Sequence, residues 1–208
     1  MKNIIDLPKK DKDGKSYLSY SQIQLFYRDK EEYYKRYILG EKFEGNAYTD
    51  FGSKVGEALE KNDFSKFNEM ETGVLKHCER LDEFEKEVRI DFNEFYVLGF
   101  IDTNSSDYTR IIDYKTGGNG KDKQYYEPEY KQLCYYALAL RQQYGVTPTT
   151  AQVNFIRRDG NAFRGEELAV GCESFLIDVD ISYNRLKAVY WEILKTAKEI
   201  ELFYTLRK

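Results

Sequence analysis

The stretch Leu98-Gly-Phe-Ile-Asp-Thr-Asn-Ser-Ser-Asp-Tyr-Thr-Arg-Ile-Ile-Asp-Tyr-Lys-Thr-Gly117 decides how the chain is read. It brings a Gly-x-x-Asp and an Asp-x-Lys together around one predicted hairpin. Strand side chains alternate between faces, so Asp113 and Lys115 project to one side and Tyr114 to the other. With Asp102 from the preceding strand, that surface offers two carboxylates and an ammonium. Such a set suits a hard divalent cation on oxygen ligands with a cationic group beside it. An Asp-x-Lys on a strand is by itself more often a salt-bridged, solvated face. Here the apolar Arg110-Ile-Ile run precedes it and Thr116-Gly-Gly-Asn-Gly120 follows, which puts the charges at the end of a core strand beside a loop.

Working outward, Glu85-Lys-Glu-Val-Arg-Ile-Asp-Phe92, Glu94 to Asp102 and Arg110 to Lys115 read as three consecutive strands in an antiparallel meander. A tight turn centred on Ser105 and Ser106 would set Asp102 opposite Thr109, roughly 13 Å along the sheet from Asp113. Shared coordination therefore requires a bend, a bulge or a register offset. Upstream, Ser21 and Gln24 fit a capping box, and Ile23, Phe26, Tyr27, Tyr33, Tyr34 and Tyr37 recur at helical spacing up to Gly40, with a break near Asp29. Helices are predicted from about 50–53 through Leu59 and from Asn68 to Leu81. Downstream, Glu129–Gln142 reads as a helix and Thr150–Arg157 as a strand. Glu166–Val170 and Ser174–Val179 read as two edge strands, and Ser182–Phe203 as a closing helix.

The 208 residues suffice for one core, and three prolines with no Ser- or Pro-rich linker argue for one domain over 17–208, preceded by a flexible arm over 1–16. No stretch approaches the ~20 apolar residues of a membrane span, and the first residues do not read as a signal peptide, so a cytoplasmic protein is expected. Cys78, Cys134 and Cys172 lack Cys-x-x-Cys spacing, which argues against a disulfide framework or a cysteine-bound cluster. The net charge of −4 argues against a generic basic nucleic-acid binder, so any DNA contact must use a local patch. The candidate patches are Arg28, Lys30, Lys35 and Arg36; Lys115, Lys121, Lys123 and Lys131; and Arg157 and Arg158. The 19 tyrosines and 13 phenylalanines supply core volume first and stacking platforms for unpaired bases second.

The order of the motifs resembles the PD-(D/E)xK nuclease superfamily, and within it the RecB-like exonuclease branch. Leu18 to Phe26 leading into Tyr37-Ile-Leu-Gly40, then Phe51-Gly-Ser-Lys-Val-Gly-Glu-Ala-Leu-Glu60, Gly99-Phe-Ile-Asp102, Ile112-Asp-Tyr-Lys-Thr-Gly117 and Gln132-Leu-Cys-Tyr-Tyr136 carry the likeness. The resemblance implies an α/β (α+β), restriction-endonuclease-like core, a central mixed sheet flanked by helices. It implies Mg²⁺ or Mn²⁺ held by Asp102, Asp113 and the Tyr114 backbone carbonyl, with Lys115 beside the attacking water and Gln132 and Tyr136 lining the site. Glu60 or Glu87 is the candidate further carboxylate, with Glu57 an alternative on the helix of Glu60. The family helix usually carries a histidine where this chain has Gly56, and the only histidine, His77, lies outside every motif.

The implied activity is metal-dependent hydrolysis of DNA phosphodiester bonds, exonucleolytic on single- or double-stranded ends, in recombination, repair or replication. No Gly-x-x-x-x-Gly-Lys-Ser/Thr loop is present, so unwinding would come from a helicase or recombinase partner. The lack of four cluster cysteines favours a phage-type or stand-alone role. The alternative reading is an inactive nuclease fold that binds DNA or a protein without cutting.

Overall fold

The computed structural model describes residues 5–207. A six-stranded mixed sheet is built from β1 (Ser16–Ser19), β2 (Glu83–Asp91), β3 (Phe95–Asn104), β4 (Arg110–Gly117), β5 (Thr150–Asp159) and β6 (Ala169–Asp178). The helices are α1 (Tyr20–Arg28), α2 (Lys30–Tyr33, continuing as a π-turn over Tyr34–Ile38), α3 (Ala47–Lys61), α4 (Glu69–Lys76), α5 (Gln132–Tyr144) and α6 (Tyr183–Thr205). A large core gathers Leu18, Phe26, Ile111, Leu133, Leu140 and Ile193 between the sheet and α1, α5 and α6. A smaller one gathers Phe51, Val55, Leu59, Leu75, Ile156 and Val170 against α3 and α4. Helices thus cover both faces, and the expected mixed sheet flanked by helices is the fold observed.

The meander is present, and what positions the site is the way β3 is shared. Strand β2 runs antiparallel along β3 from Tyr96 to Asn104. Strand β1 runs parallel to β3 over Phe95–Leu98, and β4 pairs with it antiparallel only at Thr103 and Asn104. Because β2 holds one edge of β3 throughout, β1 and β4 must share the other. Residues 99–102 fall in the gap between their ladders. Beyond Ile112, β4 turns fully to β5, pairing with it in parallel from Arg110 to Gly117.

Local chemistry accounts for the elements and for several departures from expectation. The first helix is capped by Ser19, whose side chain accepts from the Gln22 N–H, so the capping serine lies two residues before Ser21, which is already helical. The break at Asp29 is real: its extended backbone ends α1, and its carboxylate accepts from the Glu32 N–H to start α2. Strand β1, absent from the sequence reading, is four residues long, too short for a visible alternation. The two expected edge strands are one, β6, whose pairing with β5 shifts register between Ile156 and Arg158. The helix expected from Asn68 to Leu81 is α4, which ends at Lys76 with His77 as its C-cap, five residues short of Leu81. The segment expected to be a loose arm is docked over residues 5–16. Ile5 and Leu7 are buried, the Leu7 N–H donates to Ser16 Oγ, and Ser16 Oγ donates to the Ile5 carbonyl. Among the described residues no helix is long and apolar enough to cross a membrane. Cys78 and Cys134 are buried and Cys172 is exposed; all three are free.

Candidate active site

The β3–β4 connection resolves the register question. Asp107 accepts from Ser105 Oγ (2.6 Å), the Thr109 N–H (3.0 Å) and Thr109 Oγ1 (2.8 Å), and Tyr108 takes a positive φ of 60°. The turn therefore centres near Asp107 and not on Ser105 and Ser106, and the ladder opens with Asn104 opposite Ile111 and Thr103 opposite Ile112. Continued by one residue, that register sets Asp102 against Asp113, and the 13 Å separation disappears. The strands part at this point. The Tyr114 N–H, which has no β3 carbonyl to meet, donates to Asp102 Oδ2 at 2.6 Å.

Asp113 lies at the floor of the site with no solvent exposure. Its Oδ2 accepts from Tyr130 Oη at 2.9 Å and lies 2.6 Å from Lys115 Nζ, and its Oδ1 accepts from Gln132 Nε2 at 3.0 Å. Gln132 Nε2 spends its second hydrogen on Tyr136 Oη at 2.6 Å, so the first turn of α5 fixes the carboxylate's orientation. Burial alone would lower the Lys115 pKa, but the Asp113 and Asp102 carboxylates override it and hold the ammonium above its ordinary range. Burial, then the Asp113 charge, pushes the Asp102 carboxyl up to about 7. The Tyr130 and Tyr136 hydroxyls are driven well above their usual range, by burial first and Asp113 second, and stay protonated.

Two clefts meet at Asp102 and Lys115. One, of about 600 Å³, lies over the gap in β3 and is lined by Ser19, Tyr20, Gly99, Phe100, Gln132 and Tyr136, among others. The other, of about 570 Å³, lies under α3 and is lined by Thr49, Gly52, Gly56, Glu60, Glu85 and Thr116, among others. Gly99 is required where it stands, since a Cβ there would lie 2.8 Å from Tyr136 Cε1. Gly56 leaves open space, for a Cβ there meets nothing within 4 Å.

The structure brings Asp102, Asp113, Lys115, Gln132 and Tyr136 together, with Glu60 on the α3 wall. Glu87 is not among them: its carboxylate is turned to Arg89 at 2.7 Å. Glu57, which also lines the α3 cleft, is paired with Lys61 at 2.7 Å. His77 is exposed and its Nδ1 lies 2.6 Å from the Gly73 carbonyl. Sequence reasoning missed two residues. Tyr130 lies in an irregular loop and gave no signal. Glu85 gave none either: only the β2–β3 register sets it opposite Asp102, and its φ of 48° takes it out of the ladder toward the α3 cleft. Burial, then the Glu60 and Asp113 charges, raises the Glu85 pKa.

The sequence profile of the PD-(D/E)XK nuclease superfamily matches residues 65–199, well over half of the chain. The chain belongs to the PD-(D/E)XK nuclease superfamily. A crystal structure of a candidate exonuclease from Eubacterium rectale is similar in fold, with a TM-score of 0.62 at 12% identity, over 92% of this chain and 84% of that one. No curated protein matches the sequence. The family's substrates are nucleic acids, and its members generally use divalent metal ions.

The donor set of this nuclease domain suits such an ion. Asp102, Asp113, Glu85 and Glu60 crowd negative charge into one partly buried place, and the raised Asp102 pKa records burial first and repulsion from Asp113 second, both of which a cation would offset. The donors are oxygens, as a hard cation needs. Among the described residues no group of three or more His, Cys, Asp or Glu side chains is arranged to hold a metal. Ligands beyond the two aspartates would therefore be backbone and water, an arrangement Mg²⁺ accepts.

Proposed function

We propose that the chain is a metal-dependent deoxyribonuclease of the RecB-like branch that hydrolyses phosphodiester bonds at DNA ends. The observation that carries the reading is the convergence of Asp102, Asp113, Lys115 and Gln132 where two open clefts meet. Asp102, Asp113 and the Tyr114 carbonyl would hold Mg²⁺ or Mn²⁺, with Glu60 or Glu85 acting on the ion through bound water. A divalent cation there supplies polarisation of the phosphoryl oxygen and offsets charge developing in the transition state. Lys115, kept protonated by Asp113, orients the attacking water with an N–H bond and stabilises negative charge on the phosphoryl oxygens. Tyr130 and Gln132 hold Asp113 in one orientation, and Tyr136 holds Gln132.

Residues 17–208 act as one nuclease domain in this reading, in the cytoplasm, on ends exposed during recombination, repair or replication, with unwinding left to a helicase or recombinase. The competing reading, a nuclease fold that binds without cutting, draws on Gly56 and on the three protein donors already on Asp113.

The test is degradation of end-labelled single- and double-stranded linear DNA beside a closed circle, with Mg²⁺, Mn²⁺ or EDTA, comparing the parent with Asp113→Asn. Metal-dependent loss of linear DNA alone, abolished in the variant, supports the exonuclease. Cutting of the circle reassigns it as an endonuclease, and binding with no cleavage makes it a binding module.

A further inference from the structure

Phe163 stands on a short 3₁₀ turn, Ala162–Arg164, at the tip of the β5–β6 hairpin and is 89% exposed. A single exposed apolar residue is ordinary. This one, however, is built into a fixed position. Asn161 Oδ1 accepts from the Phe163 N–H (3.0 Å) and from Tyr48 Oη (3.2 Å), and the Ala162 N–H donates to Tyr48 Oη (3.1 Å). The hairpin tip is thereby tied to the first turn of α3. The Tyr48 and Phe163 ring centroids lie 5.4 Å apart, and the Arg158 guanidinium lies 4.2 Å over the Tyr48 ring. Arg158 makes no ion pair among the described residues, whereas its neighbour Arg157 holds Glu173 at 2.6 Å; the buried Nε of each has no hydrogen-bond partner there.

This cluster, its two rings tilted by 49°, stands one residue along α3 from the lining of the α3 cleft. Tyr48 adjoins Thr49, which with Gly52 lines that cleft beside Asp102 and Lys115. Arg158 Nη2 would lie 3.6 Å from a Cβ on Gly118, just past the end of β4, and the loop that follows carries Lys121 and Lys123, neither in an ion pair among the described residues. Two of the cationic patches legible in the sequence are thus joined at the rim of the cleft.

We infer that Phe163, Tyr48 and Arg158 form a stacking platform that receives a base of single-stranded DNA at the mouth of the α3 cleft, an inference that rests on the nuclease reading. The occupant follows from chemistry. Aromatic faces and a guanidinium match the π-face of any base, and Arg158 and Lys121 match the adjoining phosphates. Asp159, Glu166 and Glu167 share the hairpin with Arg157, Arg158 and Arg164, so its net charge attracts nothing and stacking must supply the affinity. Paired bases in a duplex keep their faces covered, which selects the single strand.

The experiment compares the full chain with Phe163→Ala, Phe163→Trp and Arg158→Gln. It reads fluorescence anisotropy of a labelled mixed-sequence single strand and a blunt duplex in EDTA, and kcat and KM for single-strand degradation in Mg²⁺. Phe163→Ala is expected to weaken single-strand binding roughly five- to a hundredfold and to raise KM with kcat kept. Phe163→Trp should restore both, and duplex binding and the melting temperature should not move. Arg158→Gln should flatten the dependence of log Kd on log salt by about 0.7, one phosphate's worth on a single strand. A parent that degrades DNA while Phe163→Ala matches it in binding and KM, or loses duplex and single-strand binding alike, overturns the platform and leaves the nuclease reading standing. A parent that neither binds nor cleaves DNA overturns both.

Discussion

The Tyr114 backbone N–H is bound by the Asp102 carboxylate, at 2.6 Å, at the point where β4 has left β3. One side chain therefore takes the place of a ladder bond, keeps two parting strands together and stands at the meeting of both clefts. Asp102→Asn keeps the shape and an oxygen to accept from Tyr114 while deleting the charge. Its cleavage rate should fall at least about a hundredfold. Its unfolding midpoint should hold or rise, because a buried carboxylate under repulsion has been neutralised. Rates and chemical denaturation on one preparation check both.

Asp113 is bound more deeply and its loss costs the fold as well as the site. Asp113→Ala strands Lys115 and leaves Tyr130 and Gln132 without their shared acceptor. A destabilisation of about 3 kcal/mol is expected, at the low end for a broken buried pair because the Lys115 side chain is partly exposed. Asp113→Asn should lose activity with a smaller change, and urea unfolding of the two variants separates the effects.

Metal dependence has a readout that does not need turnover. Mn²⁺ or Mg²⁺ should raise the melting temperature of the parent, by the equivalent of about 2.7 kcal/mol at a hundredfold excess over Kd. EDTA should reverse the rise and abolish cleavage. The double variant Asp102→Asn, Asp113→Asn should show no metal-induced shift by calorimetry.

Two glycines of the clefts should respond in opposite directions. Gly99→Ala drives a methyl into the Tyr136 ring and should cost about 1–3 kcal/mol while lowering kcat, since Tyr136 and Gln132 move together. Gly56→Ala fills open space on α3 and should stabilise by up to about 1 kcal/mol, through helix propensity. Gly56→His should place a further donor beside Glu60 and tighten Mn²⁺ binding, measured by titration calorimetry.

The meander, the long helices and the residue types of the site follow from the order of residues alone. Apolar periodicity is local and strong in those segments, and Asp113 and Lys115 share a face in any strand. The family resemblance added the order of motifs, from Leu18 to Phe26 at the start to Gln132 on α5. The rest depends on contacts between segments far apart in the chain. The turn moved to Asp107 because three side-chain and backbone donors converge on one carboxylate, which no alternation pattern records. Glu85, and not Glu87, reaches the α3 cleft because β2 must pair with β3 in one register. Tyr130 meets Asp113 only because the segment leading into α5 packs its ring against Tyr20 and Tyr125. Phe163 reads as an ordinary loop residue until Tyr48, more than a hundred positions earlier, is found holding its turn in place. Spacing can say which groups share a surface; only the paths of β3 and β4 as they separate say which surfaces become one site.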